Sequence, residues 1–523
     1  MRTFHLLPVL LLAACASVDD RPSCSVSTDC PRGQYCAHTP DGSVCWPDAV
    51  PPTVSGVSVS CEAPTAGGAC LRDGTLRVAA TLADDAEVLG ADVTLDLGGP
   101  AVPMQRGAGG QWTAAIPLRD FPFEHFSHGV VATVTARDGA RNETPMDASG
   151  VTTVTRLRWE IAINASLAPL AVNSTGILAI PTNNGKSYLL TWDGSFVASV
   201  QTGSNLQQPT AATAVGASFW VGNDAGDVFE VSDDTSSWAS TVRASTSDSL
   251  HGSLAVLSNS TVIAVSDGGV VYAVTSSTPP RNSTPLSPPA AFSVGAVVDA
   301  VDGIFAVASG SAYRFTLAGG FPITAWANPV ALGGQIVDPV ACSTELVSAA
   351  NAGAGGLLRR TSPAGDPELA ATVGIPAGGA AILADSSIVV PEQTKTLSRW
   401  TSTGLAFPGW QKPDLGGATR TPLVVTSGTP FVVPTAKGAL HALRPDGTIA
   451  WSGQLSAGTA SLQPGNIYTR GTEPAGAELS TAYFAGSDGV LHAVIVDGRL
   501  DASAPWPKAF HDARNTNRAG APQ

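Results

Sequence analysis

The residues best suited to chemistry lie together near the C-terminus, in the segment WPKAFHDARNTNRAG at positions 506–520. His511 and Asp512 are adjacent there, and Arg514 and Asn515 follow within three residues. A histidine that is oriented by a carboxylate can act as a general base beside a nucleophile. The segment therefore predicts either a catalytic site or a structural element that ends the fold.

Two observations favour the structural interpretation. A His–Asp pair needs a serine or cysteine nucleophile to activate, and the chain contains no Gly-x-Ser-x-Gly motif. Adjacent residues of an extended segment also point in opposite directions, so His511 and Asp512 should not bond to each other. We therefore expect residues 506–523 to form a C-terminal clasp, and we predict no catalytic residue, cofactor site or metal site.

A second short motif could bind phosphate, because Gly185, Lys186 and Ser187 match the Gly-Lys-Ser end of a phosphate loop. That motif also needs a glycine at position 180, where the chain has Ile180, and a helix after the serine. The residues that follow, YLLTW, are typical of a strand. A net charge of −14 without a basic cluster also argues against nucleic acid as a partner.

The N-terminus is a targeting segment and is left out of the predicted fold. Arg2 precedes an apolar run that is too short to span a bilayer and that ends in LAAC at positions 12–15. This ending resembles a bacterial lipobox, which implies a signal peptide over residues 1–14 and a lipid anchor on Cys15. An ordinary secretory signal with a chance cysteine is the alternative. By the same resemblance, Ala16 in place of the aspartate that retains lipoproteins at the inner membrane favours the outer membrane.

Six further cysteines are expected to form disulfides. Four lie within one short stretch that has no C-x2-C pair to hold zinc, and two more suit a bridge across a hairpin: Cys24, Cys30, Cys36 and Cys45, then Cys61 and Cys70. The sequence leaves the connectivity of the first four open. Their stretch resembles small Cys-rich modules that follow lipoboxes in myxobacterial surface proteins, and it predicts such a module over residues 15–50. Cys342 then remains as a buried apolar residue.

The bulk composition favours many short strands. The 523 residues include 55 Gly and 39 Pro, while 13% are charged and 6% aromatic. This length exceeds one ordinary core, and the mixture suits strands that are joined by tight turns. Residues 51–155 contain alternating patterns such as LRVAATL at 76–82 and QWTAAIPL at 111–118. The stretch TVTARDGARNET at 133–144 resembles the last strand of bacterial immunoglobulin-like domains, so we predict an immunoglobulin-like β-sandwich that acts as a spacer.

From Trp159 onward a repeat determines the predicted fold. Its kernel is an apolar strand, a turn and then Gly-x-x-(Tyr/Phe/His/Leu)-x-apolar, as in GALHAL. Eight copies follow one another at intervals of 39–51 residues, beginning at Gly185, Gly226, Gly269, Gly310, Gly355, Thr394, Gly438 and Gly489. A four-stranded propeller blade needs about 40–45 residues. The sixth copy has Thr394 in the glycine position, which leaves a count of seven open.

The stretch from Gly438 to Trp451, with its weaker copy at Gly489, resembles the bacterial propellers called PQQ-like or quinoprotein-like. The resemblance implies an all-β chain with an eight-bladed β-propeller over residues 156–505. It also implies a structural tail, since a Trp-Pro-x-x-Phe-His-Asp-x-x-Asn-Thr segment recurs at the end of such lipoproteins. Quinone-dependent members need a calcium site, and many have adjacent cysteines and long inserts, which this sequence lacks.

Two features of the repeat concern packing. His441 and His492 occupy a position that is aromatic in other copies, which predicts packing between blades rather than metal ligation. A closed ring removes free sheet edges, and its last blade needs an outer strand. The strand LRWEIAI at 157–163 is favoured because Trp159 resembles Trp451, with the tail packed alongside. The tail around Trp506 is the other candidate for this strand.

These observations predict a non-catalytic, lipid-anchored protein of the cell envelope whose propeller acts as a binding scaffold. Its flat faces suit a protein or glycan partner better than a small substrate. An outer-membrane β-barrel assembly factor is one alternative, because the propeller lipoprotein of that machine also has a lipobox and eight blades, although it lacks the two N-terminal modules. A quinone-dependent dehydrogenase is the other. We expect an outer-membrane lipoprotein that is either periplasmic or surface-exposed.

Overall fold

The computed structural model describes residues 21–519, except for 86, 235–236, 287–289, 343 and 457–459, and of residues 339–342 it describes the backbone alone. Cys15 with its lipobox, and the side chain of Cys342, therefore lie outside the described part of the protein. The chain divides into two compact units. The first comprises Met1–Phe123 and His128–Val154, and the second comprises Glu124–Ser127 and Thr155–Gln523. No described helix is long and apolar enough to cross a membrane.

In its described residues, the first unit is built from short antiparallel strands and three single 3-10 turns. The turns are Ser27–Asp29, Ala108–Gly110 and Leu118–Asp120. The strands are β1 (Gln34–Thr39), β2 (Gly42–Pro47), β3 (Thr53–Cys61), β4 (Cys70–Leu71), β5 (Thr75–Ala83), β6 (Val88–Leu95), β7 (Val102–Pro103), β8 (Gln105–Arg106), β9 (Gln111–Pro117), β10 (Ser127–Val130), β11 (Ala132–Asp138), β12 (Glu143–Asp147) and β13 (Thr152–Thr155). Strands β1 and β2 form a hairpin, and the rest form sheets of order β3-β5-β9-β8, β12-β11-β6-β7 and β10-β13-β4.

The two four-stranded sheets of this unit pack face to face around one apolar core. Side chains of β5 and β9 alternate between buried and exposed positions, because successive residues of a strand point to opposite faces. Val78 and Ile116 of one sheet share a cluster with Val93 and Val134 of the other. The strands that the sequence predicts at 76–82 and 111–118 are therefore present, each with one face in the core.

Three disulfides brace the first unit. They join Cys24 to Cys36, Cys30 to Cys45 and Cys61 to Cys70. Cys36 and Cys45 lie opposite each other in the hairpin of β1 and β2, yet each bonds to a cysteine that precedes the hairpin. The two crossed bridges thus tie the segment before β1 to both strands, which compensates for a core too small to hold the module alone.

The second unit contains eight antiparallel sheets in its described residues, here called ring sheets 1 to 8 in chain order. Its first strand is β14 (Leu157–Ala162), which joins ring sheet 8. Ring sheets 1 to 4 comprise β15 (Ala171–Val172), β16 (Ile177–Pro181), β17 (Lys186–Thr191) and β18 (Phe196–Gln201); β19 (Thr213–Val215), β20 (Ser218–Gly222), β21 (Asp227–Asp233) and β22 (Trp238–Ser245); β23 (Ala255–Val256), β24 (Val262–Val265), β25 (Val271–Val274) and β26 (Arg281–Asn282); and β27 (Val297–Val298), β28 (Ile304–Ala308), β29 (Ser311–Ala318), β30 (Phe321–Thr324) and β31 (Val330–Ala331).

Ring sheets 5 to 8 continue the same pattern. They comprise β32 (Gln335–Cys342), β33 (Glu345–Asn351), β34 (Gly356–Thr361) and β35 (Pro367–Val373); β36 (Ala381–Ile382), β37 (Ile388–Pro391) and β38 (Leu397–Trp400); β39 (Leu423–Val424), β40 (Phe431–Pro434), β41 (Ala439–Leu443) and β42 (Ile449–Gln454); and β43 (Asn466–Tyr468), β44 (Leu479–Ala485) and β45 (Val490–Asp497) with β14. The first strand of each sheet pairs with the second, so it lies at one edge.

The second strands of the ring sheets are mainly apolar on both faces. Every residue of β28 and of β40 is buried, as expected for sheets that are covered on both sides. Runs of Ala, Val, Ile and Phe dominate these strands, and the exception to their lack of charge is Glu345 at the start of β33, which is ion-paired with Arg360. The low charged fraction of the chain therefore follows from stacking sheet against sheet.

Successive ring sheets share apolar clusters, and the series closes on itself. Every adjacent pair, from sheets 1 and 2 to sheets 7 and 8, contributes residues to a common cluster. Leu178 and Ile180 of ring sheet 1 then pack with Tyr483 and Leu491 of ring sheet 8. Since the first and last sheets share a core, the eight sheets form a closed ring.

The ring is closed by its N-terminal strand. Strand β14 pairs with β45 as the outer strand of ring sheet 8, with Trp159 opposite Ala493. Trp451 lies opposite Ala442, the matching residue of ring sheet 7, so the two tryptophans occupy the same register. The prediction that residues 157–163 complete the last sheet is confirmed, and the alternative that the tail supplies this strand is wrong.

The sixth copy of the repeat keeps the turn geometry without its glycine. Gly438 has φ +74 in the turn between β40 and β41, and Lys395 takes the same place between β37 and β38 with φ +69. The prediction that Thr394 stands in the glycine position was wrong by one residue, because Glu392 N bonds to Thr396 O as Thr435 N bonds to Ala439 O. A lysine in this left-handed conformation is strained, since its Cβ crowds the backbone.

We expect Lys395→Gly to raise the free energy of unfolding by up to about 1 kcal/mol, because glycine adopts a positive φ without strain while it loses more backbone entropy. The matched control is Gly438→Ala, whose Cβ would lie 2.8 Å from Ser456 O and 3.0 Å from Ala460 O. That change should lower the free energy of unfolding by about 2 kcal/mol. Urea unfolding of the three proteins measures both effects, and a Lys395→Gly variant less stable than the parent contradicts the strain.

Candidate functional site at the centre of the ring

Residues 506–519, here called the tail, run along the inner edges of the ring sheets. Six first strands donate backbone hydrogen bonds to tail carbonyls, all 2.7 to 2.9 Å long: Ile382 to Trp506, Val424 to Pro507, Val172 to Ala513, Ala214 to Arg514, Val256 to Thr516 and Val298 to Asn517. Ring sheet 8 adds a side-chain bond from Asn466 Nδ2 to Ala513 O, 2.9 Å. We expected the tail to pack beside the last sheet, and it lies instead at the centre of the ring.

Asparagines explain how the tail turns within this narrow space. Asn515 has φ +56 and Asn517 has φ +50, a region that asparagine tolerates better than most residues. Asn515 Nδ2 donates to Leu170 O at 2.7 Å and to Ala212 O at 2.9 Å, which links ring sheets 1 and 2. Asn517 Nδ2 donates to Leu254 O of ring sheet 3 at 3.2 Å. Their amides thus bond to carbonyls that precede successive first strands.

The burial of Lys508 in the tail is unexpected for a basic residue, because only 1% of this lysine is exposed. Its Nζ donates to Ala509 O at 2.5 Å, to Asp512 O at 2.9 Å and to Asn515 Oδ1 at 2.7 Å. Burial lowers the pKa of this amine to about 7, against the attraction of the Asp512 carboxylate. All three N–H donors of the ammonium are used within the tail, so this lysine holds the turn together.

The His511–Asp512 pair also stabilises the turn of the tail. Asp512 accepts hydrogen bonds from the backbone N and the hydroxyl of Thr516, both at 2.9 Å. Burial acts to raise the pKa of Asp512, but the nearby His511 and Arg514 side chains and the hydrogen bonds from Thr516 outweigh it and leave that pKa below its usual range. The His511 ring packs edge-on against Trp506, with centroids 5.0 Å apart.

His511 does not have the surroundings of a general base. Its Nδ1 lies 4.0 Å from Asp512 Oδ2, and within the described residues no hydroxyl or thiol bonds to the ring. The expectation that the segment is extended here was wrong, because Phe510 has φ +64 and His511 has φ +74. The two side chains therefore approach each other in a turn. The geometry supports the structural interpretation of this pair.

A small cavity lies between the tail and ring sheets 3 to 7. Its volume is about 20 Å³, and Ser253, Asp338, Thr421, Trp506 and Asn517 are among its lining residues. Burial raises the pKa of Asp338 to about 6, although the Gly379 N–H and the Arg420 charge oppose the shift. A space of this size holds about one water molecule, so it does not fit a cofactor or an organic substrate.

The other candidate residues are also used in packing. His441 lies between Ser452 Oγ at 2.7 Å and Leu415 O at 3.2 Å, and burial lowers its pKa. His492 lies between Glu160 Oε1 at 2.8 Å and Ser456 Oγ at 3.0 Å. Both nitrogens of each ring have partners, which leaves none for a metal ion.

The Gly-Lys-Ser segment forms a hairpin rather than a phosphate loop. Gly185 occupies the turn between β16 and β17, and β17 continues through Ser187 where a phosphate loop needs a helix. Ser187 is fully buried and bonds to Thr202 Oγ1 at 2.9 Å. Lys508 and Asp338 were missed by sequence reasoning, because a single Lys or Asp gives no pattern that distinguishes a buried residue from a surface one.

Comparisons with known proteins bear on the fold. No protein-family model matches the chain, and no curated protein matches it. Among solved structures, Saccharomyces cerevisiae Sqt1 is 9% identical and matches with a TM-score of 0.50, covering 65% of this chain and 97% of that one. BamB from Moraxella catarrhalis is 14% identical, with TM-score 0.45 and coverage of 65% and 98%. The Dos1 propeller is 9% identical, with TM-score 0.48 and coverage of 66% and 96%.

The ring of sheets and the match to Sqt1 together support a β-propeller fold for the second unit. At these identities the likeness concerns the fold alone. Propellers host many unrelated activities, so the function has to come from the surfaces and sites of this chain.

We expect Asn515→Ala to lower the free energy of unfolding by about 3–4 kcal/mol. The change removes the two hydrogen bonds that the Asn515 amide donates and the acceptor oxygen that it offers to Lys508 Nζ. It also places an alanine at a positive φ, which is strained. The matched control is Asn164→Ala, because Asn164 has φ +57 but is exposed, and this variant should lose only about 1 kcal/mol. Equal losses in chemical denaturation would show that the tail contacts contribute nothing beyond backbone strain.

The raised pKa of Asp338 predicts a pH dependence. Between its ordinary pKa of 3.8 and about 6, the folded chain holds a proton that the unfolded chain releases, so the stability of the protein falls as pH rises through this window. Asp338→Asn should abolish that fall and be more stable than the parent at pH 7.5 by about 2–3 kcal/mol. Urea unfolding at pH 4.5 and 7.5 measures this, with exposed Asp414→Asn as control. Parallel behaviour of all three proteins would contradict the burial of this carboxyl.

Proposed function

We propose that this protein is a non-catalytic, lipid-anchored component of the cell envelope whose propeller binds a protein or glycan partner. The observation that carries the proposal is the occupancy of the ring centre by the chain's own tail. Where the ring could otherwise admit a substrate, the described cavity is about 20 Å³. Recognition is then left to the broad faces of the ring and to the first unit.

The finer architecture belongs to the same proposal. We interpret the eight ring sheets as eight blades of a PQQ-like propeller and the facing sheets of the first unit as an immunoglobulin-like module. Three disulfides in the first unit support an oxidising compartment outside the cytoplasm. The lipobox motif supports cleavage before Cys15 and acylation of its sulfur, and Ala16 supports delivery to the outer membrane.

The ring centre does not fit a quinone cofactor. A fused-ring quinone is far larger than the described cavity, and the side chains around that cavity include one carboxylate, Asp338, rather than a set of calcium ligands. Lys508 donates hydrogen bonds to Asp512 O and Asn515 Oδ1, so these three residues already bond to one another. A dehydrogenase reaction at this position would first require the tail to leave, which would break the six backbone hydrogen bonds that its carbonyls accept and the two that Trp506 N and Ala519 N donate. These observations favour binding over oxidation chemistry.

Crosslinking in the native envelope, followed by purification and mass spectrometry, tests the proposal. We expect the wild-type protein in the membrane fraction, crosslinked to a secreted or surface protein or to a polysaccharide. The matched variant Cys15→Ala should be released from the membrane, because it lacks the acylated sulfur.

Three outcomes would contradict parts of this account. If Cys15→Ala still sediments with membranes in high salt, the lipid anchor is wrong. If the wild-type protein captures the outer-membrane β-barrel assembly machine, an assembly role replaces the binding scaffold. If the purified protein binds a quinone saturably with calcium and reduces a dye in the presence of alcohols or sugars, the protein is an enzyme.

A further inference from the structure

Three carboxylates meet in the first unit, far apart in sequence and outside the ring. One oxygen from each of Asp48, Asp84 and Asp138 lies within 4.8 Å of the other two. Asp48 is 8% exposed and Asp138 is 1% exposed, while Asp84 is partly exposed. Like charges at this separation repel each other, and burial strengthens the repulsion because little water screens it.

Each carboxylate comes from a different structural element. Asp48 follows β2 of the disulfide-bonded hairpin, and Asp84 follows β5 of one four-stranded sheet. Asp138 is the last residue of β11 in the other sheet, at an irregularity in its pairing with β6. The cluster thus lies where the disulfide module and both sheets of the first unit come together.

One oxygen of the Asp48 carboxylate accepts no hydrogen bond from the protein. Its Oδ1 accepts a hydrogen bond from Val50 N at 2.9 Å, but Oδ2 is buried and has no hydrogen-bond partner. Neither Asp48 nor Asp138 is paired with a basic side chain in the described part of the chain. A buried carboxylate oxygen without a donor is costly, so this oxygen points to a ligand that supplies positive charge.

Asn142 braces the cluster in a geometry suited to coordination. Its backbone N donates to Asp138 Oδ1 and its Nδ2 donates to Asp138 Oδ2, both at 2.8 Å. The same Nδ2 lies 3.2 Å from Asp48 O. Each carboxylate oxygen of Asp138 keeps a second lone pair after these bonds. The amide therefore orients Asp138 and holds the Asp48 backbone while leaving lone pairs free for a cation.

We propose that Asp48, Asp84 and Asp138 bind a calcium ion. All three donors are carboxylate oxygens, which hard divalent cations prefer, and no thiolate or imidazole is present in the cluster to favour zinc. Calcium tolerates irregular shells of six to eight oxygens, so backbone carbonyls and water that enters beside Asp84 complete the sphere. This assignment revises the expectation from sequence that the chain has no metal site.

The ion would tie the disulfide module to the two sheets. Other contacts that hold the module there include the backbone bond from Gly33 N to Ala140 O, 2.9 Å, and the side-chain bond from Arg141 to Thr28 O, 2.9 Å. Without the ion, repulsion among the carboxylates would oppose this contact. Calcium is thus expected to order the N-terminal module, independently of any partner that the ring binds.

Calorimetric titration of the purified full chain with calcium chloride, after treatment with EDTA and dialysis, tests the site. We expect one calcium ion per chain with a dissociation constant between about 10⁻⁶ and 10⁻³ M. Saturating calcium should raise the melting temperature of the first unit by about 5 °C or more. Asp48→Asn keeps the Val50 hydrogen bond but loses the charge, and it should weaken binding at least tenfold. Asp41→Asn, an exposed change in the same module, should bind as the parent does.

Several results would overturn the assignment. These are the absence of saturable binding up to about 10 mM calcium, well beyond the weakest protein sites, and unchanged affinity in Asp48→Asn. Complete displacement of calcium by a tenfold excess of magnesium would reject calcium as the ion. If Asp48→Asn fails to fold, Asp84→Asn provides the same test at the partly exposed ligand. A more stable Asp48→Asn protein in EDTA, together with its loss of calcium binding, would support the site.

Discussion

The hydrogen bonds between the tail and the inner edges of the ring sheets are the interaction on which the second unit depends. Stacking covers the faces of the ring sheets, but the first strands still present unpaired N–H groups toward the centre. Several of these strands are only two residues long, so they gain little from pairing with their own sheets. The tail accepts bonds from six of them and is buried in return. The centre of the ring is therefore part of the core.

This arrangement explains why the polar residues of the tail are not a catalytic site. A buried chain that turns must satisfy its polar groups within the protein, because bulk water does not reach them. Lys508, Asp512, Asn515 and Thr516 do so for one another. The residues of the sequence that are best suited to catalysis thus form the hydrogen bonds that hold the buried tail together.

Much of this architecture could be predicted from the sequence, because repetition and alternation are local signals. The eight kernels predicted the strands of the ring, and the likeness of Trp159 to Trp451 predicted the strand that closes it. The tail position could not be predicted, since it depends on contacts between residues such as Asn515 and Leu170 that lie hundreds of positions apart. Asp48, Asp84 and Asp138 were missed for the same reason: no spacing in the sequence indicates that three elements bring them together.

Hydrogen exchange of the intact chain, followed by mass spectrometry of its peptides, tests the central role of the tail most directly. If the tail is a core element, the amides of Val172, Ala214, Val256, Val298, Ile382 and Val424 will exchange only with global unfolding, together with the tail. Their protection will then equal that of the buried second strands β16, β28 and β40. Rapid exchange of the tail and these six amides, while the second strands remain protected, would show that the tail opens independently and that the ring stands without it.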